Sequence, residues 1–187
     1  GFHNQESLES IVAYLLTITT FAISFTAEMG YLLRGGISIG NHYESERERQ
    51  LFIFSEAHNK AVILESEVAD NPRIIIDKQL LRYFDCISFP YSGLFYKDDD
   101  DYCCLDIYNI YFDMDSKWNR KESNLTHIKN GIELSMEKHF RSVKELAKMI
   151  YFAKYHNRKV ISAKVNLPHL AFDSEKYEEQ LRSLNYA

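Results

Sequence analysis

Apolar residues recur at helical spacing from Glu6 to Met29, at Ile11, Leu15, Ile18, Ala22, Phe25 and Met29, and Gly30 follows as a stop signal. This predicts a first long helix. Tyr31 to Ile39 is β-branched and aromatic, interrupted by Arg34-Gly35-Gly36, and reads as a buried strand ending at a Gly40-Asn41 turn. The charged stretch Glu44 to Gln50 (ESERERQ) reads as a solvated loop or hairpin tip. Order resumes at Leu51 to Phe54, and Ala57 to Val68 has a helical period through Ala61, Leu64 and Val68 that Asn71-Pro72 breaks. Arg73 to Asp77 is a second buried strand, with a short helix over Lys78 to Phe84 after it. Helix, strand, helix, strand with short connections predicts helices packed on a sheet, an α/β (α+β) class.

Beyond Phe89 the pattern loosens. Pro90, Gly93 and the run Asp98 to Asp101 read as an irregular, solvated acidic loop, and Tyr102 to Phe112 as an aromatic strand. Glu122 to Asn157 carries long helical patterns, and in the tail from Val160 Pro168 limits regular structure. There is no internal repeat.

The chain of 187 residues is 45% hydrophobic and 26% charged, which suits one soluble domain that needs no disulfide or metal scaffold to hold a core. Its net charge of −5 argues against a nucleic-acid partner. Cys86, Cys103 and Cys104 are odd in number and form no CxxC pair, so a reducing, cytoplasmic setting is the economical reading. Ser10 to Ala27 is charge-free over 18 residues, but six of these are Ser or Thr, so a buried helix is expected rather than a membrane span. The chain begins at Gly1 without Met, and a processed or truncated start is expected.

Several chemical signals fail on geometry. Four adjacent aspartates do not converge on a cation from different directions. Asp113-Met114-Asp115 with Asn119 has the start of a calcium loop, but Trp118 stands where the sharp turn needs Gly. The seven histidines have no metal spacing, and His58 and His156 read as surface or satisfied residues. There is no GxSxG, Walker loop or GxGxxG. The segment Leu32 to Gly40 stands out: Gly35 and Gly36 permit close backbone approach and Arg34 fixes a positive charge at the sheet. A ligand-facing strand and a tight strand crossing with Arg34 paired to a carboxylate fit equally. Asn59 and Glu65, on the following helix, read most simply as a cap or a solvated face.

In combination, Arg34 to Gly40, then a hairpin, then Phe54, Ala57, Asn59, Ala61 and Leu64-Glu65-Ser66, then Pro72-Arg73-Ile74, resemble the RGGIxIG strand, FGPAxNxAYxLES helix and PRI strand of class III nucleotidyl cyclase-like proteins. Among these the chain is most similar to the pyrimidine cyclases of Pycsar antiphage systems. Tyr151 to Asn157 resembles that family's C-terminal helix, so the likeness spans roughly residues 5 to 157. The resemblance implies a ferredoxin-like sheet, with residues 1–95 as a partial cyclase-homology core and 96–187 as the C-terminal strand and helical part of the same domain. It also implies a homodimer that binds a nucleoside triphosphate and cyclises it with loss of pyrophosphate, feeding a downstream cyclic-nucleotide effector. The cofactor implied is a divalent pair, Mg or Mn, on aspartates of strands preceding the first long helix. Those ligands are expected upstream of Gly1, and this chain alone is expected not to turn over.

Carried over residue by residue, Asn59 matches the ribose-orienting Asn, and Arg34 is the candidate charge for the transition state, with Arg73 as the other arginine that could supply it. Gly35, Gly36 and Phe52 are the candidate nucleotide contacts. Three positions depart from the family pattern. Ile63 stands where a transition-state Arg is usual; Phe52 stands where purine cyclases carry a base-reading acid; Ser55-Glu56 replaces Gly-Pro. A catalytically inactive domain acting in dimerisation or nucleotide sensing is therefore the alternative expectation.

Overall fold

A computed structural model describes residues 5–47, 50–89, 93–108, 121–139, 141–162 and 171–185. The fold is mixed α+β, and the chain divides into two compact units, residues 34–106 and residues 1–33 with 107–187.

The unit of residues 34–106 holds the strands: β1 (Gly35–Ile37), β2 (His42–Arg47), β3 (Gln50–Ser55), β4 (Ile74–Ile76), β5 (Phe95–Lys97) and β6 (Cys103–Leu105). Helix α2 (Glu56–Ile63), extended by a π turn over Leu64–Val68, lies between β3 and β4, and α3 (Lys78–Cys86) follows β4. β1 and β4 pair in parallel, Gly36 opposite Ile75, and β6 joins β4 antiparallel to give the order β1-β4-β6-β5. Ile74, Ile75 and Ile76 are buried, as an interior strand covered on both faces requires, and each contributes on the order of 2 kcal/mol of apolar burial. Ala69, Ile75 and Cys104 centre the core, with Leu64, Val68, Tyr96 and Tyr102 around them. β2 and β3 form a separate two-stranded ribbon. The strands are shorter than the apolar runs that announced them, because only the paired residues Gly35–Ile37 of Tyr31 to Ile39 meet β4.

The acidic run is corrected by the structure. Asp98 to Asp101 is the turn of the β5–β6 hairpin, closed by Asp98 N donating to Tyr102 O at 2.9 Å, with Asp101 at φ 68, a left-handed conformation Asp tolerates. Asp98 is 5% exposed. Arg73, itself buried, donates from Nη1 to Asp98 and Asp100 at 2.7 Å and from Nη2 to Val68 O at 3.2 Å. One guanidinium thus ties the hairpin turn to the π turn after α2. The Arg73 hydrogen bond holds the Asp100 carboxyl below its ordinary value of 3.8. All three cysteines are unpaired, and burial pushes the Cys104 thiol up to about 12.

The helical unit contains α1 (Gln5–Ser24), which runs on through a π turn over Phe25–Met29, and α4 (Lys121–His139), α5 (Val143–Ser162) and α6 (Ser174–Asn185). Gly30 closes the first helix in the left-handed region at φ 68. Leu15, Thr19, Ala22, Ile23, Thr26 and Ala27 are buried along one side, at 3.6-residue spacing, and Gly131 of α4 lies against the Thr26 and Ala27 carbonyls. Leu8–Met29 is apolar enough, at a mean hydropathy of 1.7, to match a span by length and composition, but with this packed side it gives no clear membrane span.

The Tyr155-His156-Asn157 segment has a structural role here. Fully buried His156 is joined through Nδ1 to the Tyr108 hydroxyl at 2.8 Å, and Asn157 both donates to Phe172 O at 3.0 Å and accepts from Phe172 N at 2.7 Å. That clamp returns the chain to α5 before α6. The α6 helix was not expected in a Pro-limited tail; Pro168 lies outside the described residues, as does the Asp113–Asn119 segment.

Candidate functional site

The candidate site residues Arg34, Gly35, Gly36, Phe52 and Asn59 all fall in the unit of residues 34–106. Their geometry starts from Gly36. A Cβ there would collide with the Ala61 carbonyl and the Leu64 side chain, so α2 sits directly on β1. The close approach that this glycine allows is made by a helix. Gly35 faces Ile74, whose side chain would be 3.8 Å from an added Cβ, an ordinary contact.

Arg34 leaves the sheet just before these glycines and pairs through Nε with Glu65 Oε1 at 2.5 Å, on the π turn that continues α2. The two side chains are 44% and 36% exposed, so the pair is worth at most ~1 kcal/mol. This is the carboxylate-paired arrangement that the sequence left open, and Glu65 is the partner.

Asn59 stands on the first turns of α2 and is exposed. The substitution of Ser55-Glu56 for Gly-Pro acquires a physical meaning at this helix start. Ser55, extended at φ −137, caps α2 by accepting from His58 N at 3.1 Å. Glu56 accepts from Lys60 Nζ at 2.6 Å and from Asn41 Nδ2 at 3.3 Å, and the Lys60 hydrogen bond lowers the Glu56 pKa. Ile63, one turn beyond Asn59, is 49% exposed and offers no donor.

Sequence reasoning missed what surrounds these residues. At the carboxyl ends of the parallel pair, where ligands of open α/β sheets bind, Ser38 Oγ donates to Asp77 Oδ2 at 2.9 Å and Asp77 N to Ile37 O at 2.8 Å. Asp77 also caps α3, and Lys60 reaches Gln79 Oε1 at 2.7 Å, bridging α2 to α3. Lys60 is thus the cation beside Asn59, and its i, i+4 spacing from Glu56 was the available signal. Arg73, the other arginine considered for a charge role, is committed to Asp98, Asp100 and Val68 O. Phe52 lies on the ribbon, 51% exposed, and can present a ring face but no hydrogen bond to a base.

Among the described residues, no group of three or more His, Cys, Asp or Glu is placed to hold a metal ion. No family model, curated protein or solved structure matches the chain.

Proposed function

We propose that this chain carries the ribose-facing part of a nucleotidyl cyclase-like domain. In this reading the full-length protein, acting in the cytoplasm as a homodimer, converts a pyrimidine nucleoside triphosphate to a 3′,5′-cyclic nucleotide, a signal in antiphage defence received by a downstream effector. The ribose 3′-oxygen attacks the α-phosphorus, the bond to the bridging oxygen of the β-phosphate breaks, and pyrophosphate leaves; the hydroxyl proton passes to solvent.

The observation that carries this reading is the β1–α2–β4 arrangement: two parallel strands, a helix seated on Gly36, and the Asn59 amide exposed on the first turns of that helix. An amide there can donate to and accept from a ribose, while Lys60, once released from Glu56, supplies a positive charge to phosphate oxygens. Phe52 can stack on a base without reading its edge. The divalent Mg or Mn pair that such chemistry uses is part of this proposal, and it would supply activation of the ribose hydroxyl and charge neutralisation at the phosphates.

A second reading, a catalytically inactive domain used for dimerisation or nucleotide sensing, is favoured by Ile63 beside Asn59 and by the engagement of Arg34 with Glu65. Incubating the full-length protein with each of the four triphosphates and Mn²⁺, and resolving the products, separates the two. A cyclic pyrimidine product supports the enzyme. Triphosphate binding with no cyclic product supports the sensor.

A further inference from the structure

We infer that Glu56 is a built-in occupant of an anion-binding position on α2, holding the donors that the phosphates of a nucleoside triphosphate take when its carboxylate swings aside. The inference rests on the proposed function for the identity of that anion, and it adds the group that regulates access to it.

Three donors from two elements converge on the Glu56 carboxylate. Oε1 accepts from Lys60 Nζ at 2.6 Å, and Oε2 accepts from Asn41 Nδ2 at 3.3 Å and more weakly from Asn41 N at 3.5 Å. An ordinary i, i+4 pair on a helix face engages only its own two side chains, whereas here the loop between β1 and β2 supplies two of the three contacts. The donors also have holds of their own. Glu56 N donates to Asn41 O at 2.9 Å, and a Cβ on Gly40 would stand 2.9 Å from Ala57 N, so the Gly40-Asn41 loop is pressed against the first turn of α2. Lys60 Nζ donates in addition to Gln79 Oε1 on α3 at 2.7 Å. With the carboxylate swung out, an ammonium, an amide and a backbone N–H remain aimed at one place, at the carboxyl ends of the parallel pair where ligands of open α/β sheets bind.

The carboxylate is suited to leave. Its side chain is 44% exposed, and an exposed ion pair is weak enough for a ligand of higher charge to displace. A phosphate group carries more negative charge than a carboxylate and three acceptor oxygens to its two, so it makes the stronger charge-assisted hydrogen bonds to the same donors. The Lys60 hydrogen bond holds the Glu56 carboxyl below its ordinary value of 4.5, which keeps the internal anion charged at neutral pH. Asn59 is the exposed chain neighbour of Lys60, so a triphosphate held at Lys60 keeps its ribose within reach of that amide.

Isothermal titration of the full-length protein with inorganic tripolyphosphate, as wild type, Glu56→Gln and Glu56→Gln/Lys60→Met, tests this, with circular dichroism to check that each variant folds. The expected result is a dissociation constant lower by about 5-fold or more in Glu56→Gln, as for removal of one competing charge, and a return to the wild-type value or weaker when Lys60→Met is added. Equal affinity of the wild type and Glu56→Gln overturns the inference, and so does the lack of binding by all three proteins. A gain that survives Lys60→Met also overturns it, because that gain reports net charge alone. The cyclase reading fails separately: tighter binding by Glu56→Gln with no cyclic product from the wild type keeps the internal anion and removes the enzyme, whereas cyclic product with unchanged binding keeps the enzyme and removes the internal anion.

Discussion

Arg73 and Gly36 show how two positions of one motif set come to serve the fold. The Arg73 guanidinium is buried against Asp98, and removing one partner of such a pair leaves an uncompensated charge in the interior. Arg73→Ala should therefore cost about 3–5 kcal/mol in urea unfolding, with the Asp98→Ala cost overlapping it in a double-mutant cycle. A loss below about 1 kcal/mol would contradict the latch. At the glycines the comparison is internal. Gly36→Ala forces a methyl into the Ala61 carbonyl and should cost about 1–3 kcal/mol or more, whereas Gly35→Ala meets only ordinary contact with Ile74 and should be close to neutral. Equal costs at the two positions would show that α2 does not rest on Gly36.

At the scale of elements, the β5–β6 turn is where acid should act first. Asp100 has its folded pKa lowered by the Arg73 hydrogen bond, so its contribution is fully present above the ordinary carboxyl value of 3.8. It is lost as pH falls through the lower folded value. Acid titration followed by circular dichroism should show the wild type losing stability in that low window, and Asp100→Asn should flatten that part of the profile. An unchanged profile would remove Asp100 from the latch.

Legibility in the sequence also differs by element. Helix α1 with its Gly30 stop, α2, β4 and α3 are readable because apolar periodicity and turn residues agree with the tertiary contacts there, whereas the charged stretch from Glu44, expected as a solvated loop or hairpin tip, is paired through Arg47 in the β2–β3 ribbon. The acidic turn was misread because four adjacent aspartates look solvated until a buried arginine, 25 residues away in sequence at the Arg73–Asp98 bond, is known to face them. Helix α6 is hard to read in the sequence because Pro168 signals a break shortly before the polar, weakly apolar stretch Ser174–Asn185. Of the site, Arg34 and Asn59 were legible by motif. Their partners Glu65 and Lys60 were not, because pairing is set by how α2 lies on β1 and α3, which spacing alone does not specify.

For the whole molecule the proposed function joins two claims: that the exposed Asn59 amide meets a nucleotide's ribose, and that its strand–helix–strand unit works in a cyclising enzyme. The measurement that tests both is the kcat of the full-length protein against its Asn59→Ala variant, with a pyrimidine nucleoside triphosphate and Mn²⁺. Asn59 is exposed and caps nothing, so the variant should fold as the wild type does. The account predicts a cyclic product from the wild type and a kcat at least about 10²-fold lower in the variant, as for loss of a transition-state donor. No cyclic product from the wild type, or an equal rate from the variant, would contradict it.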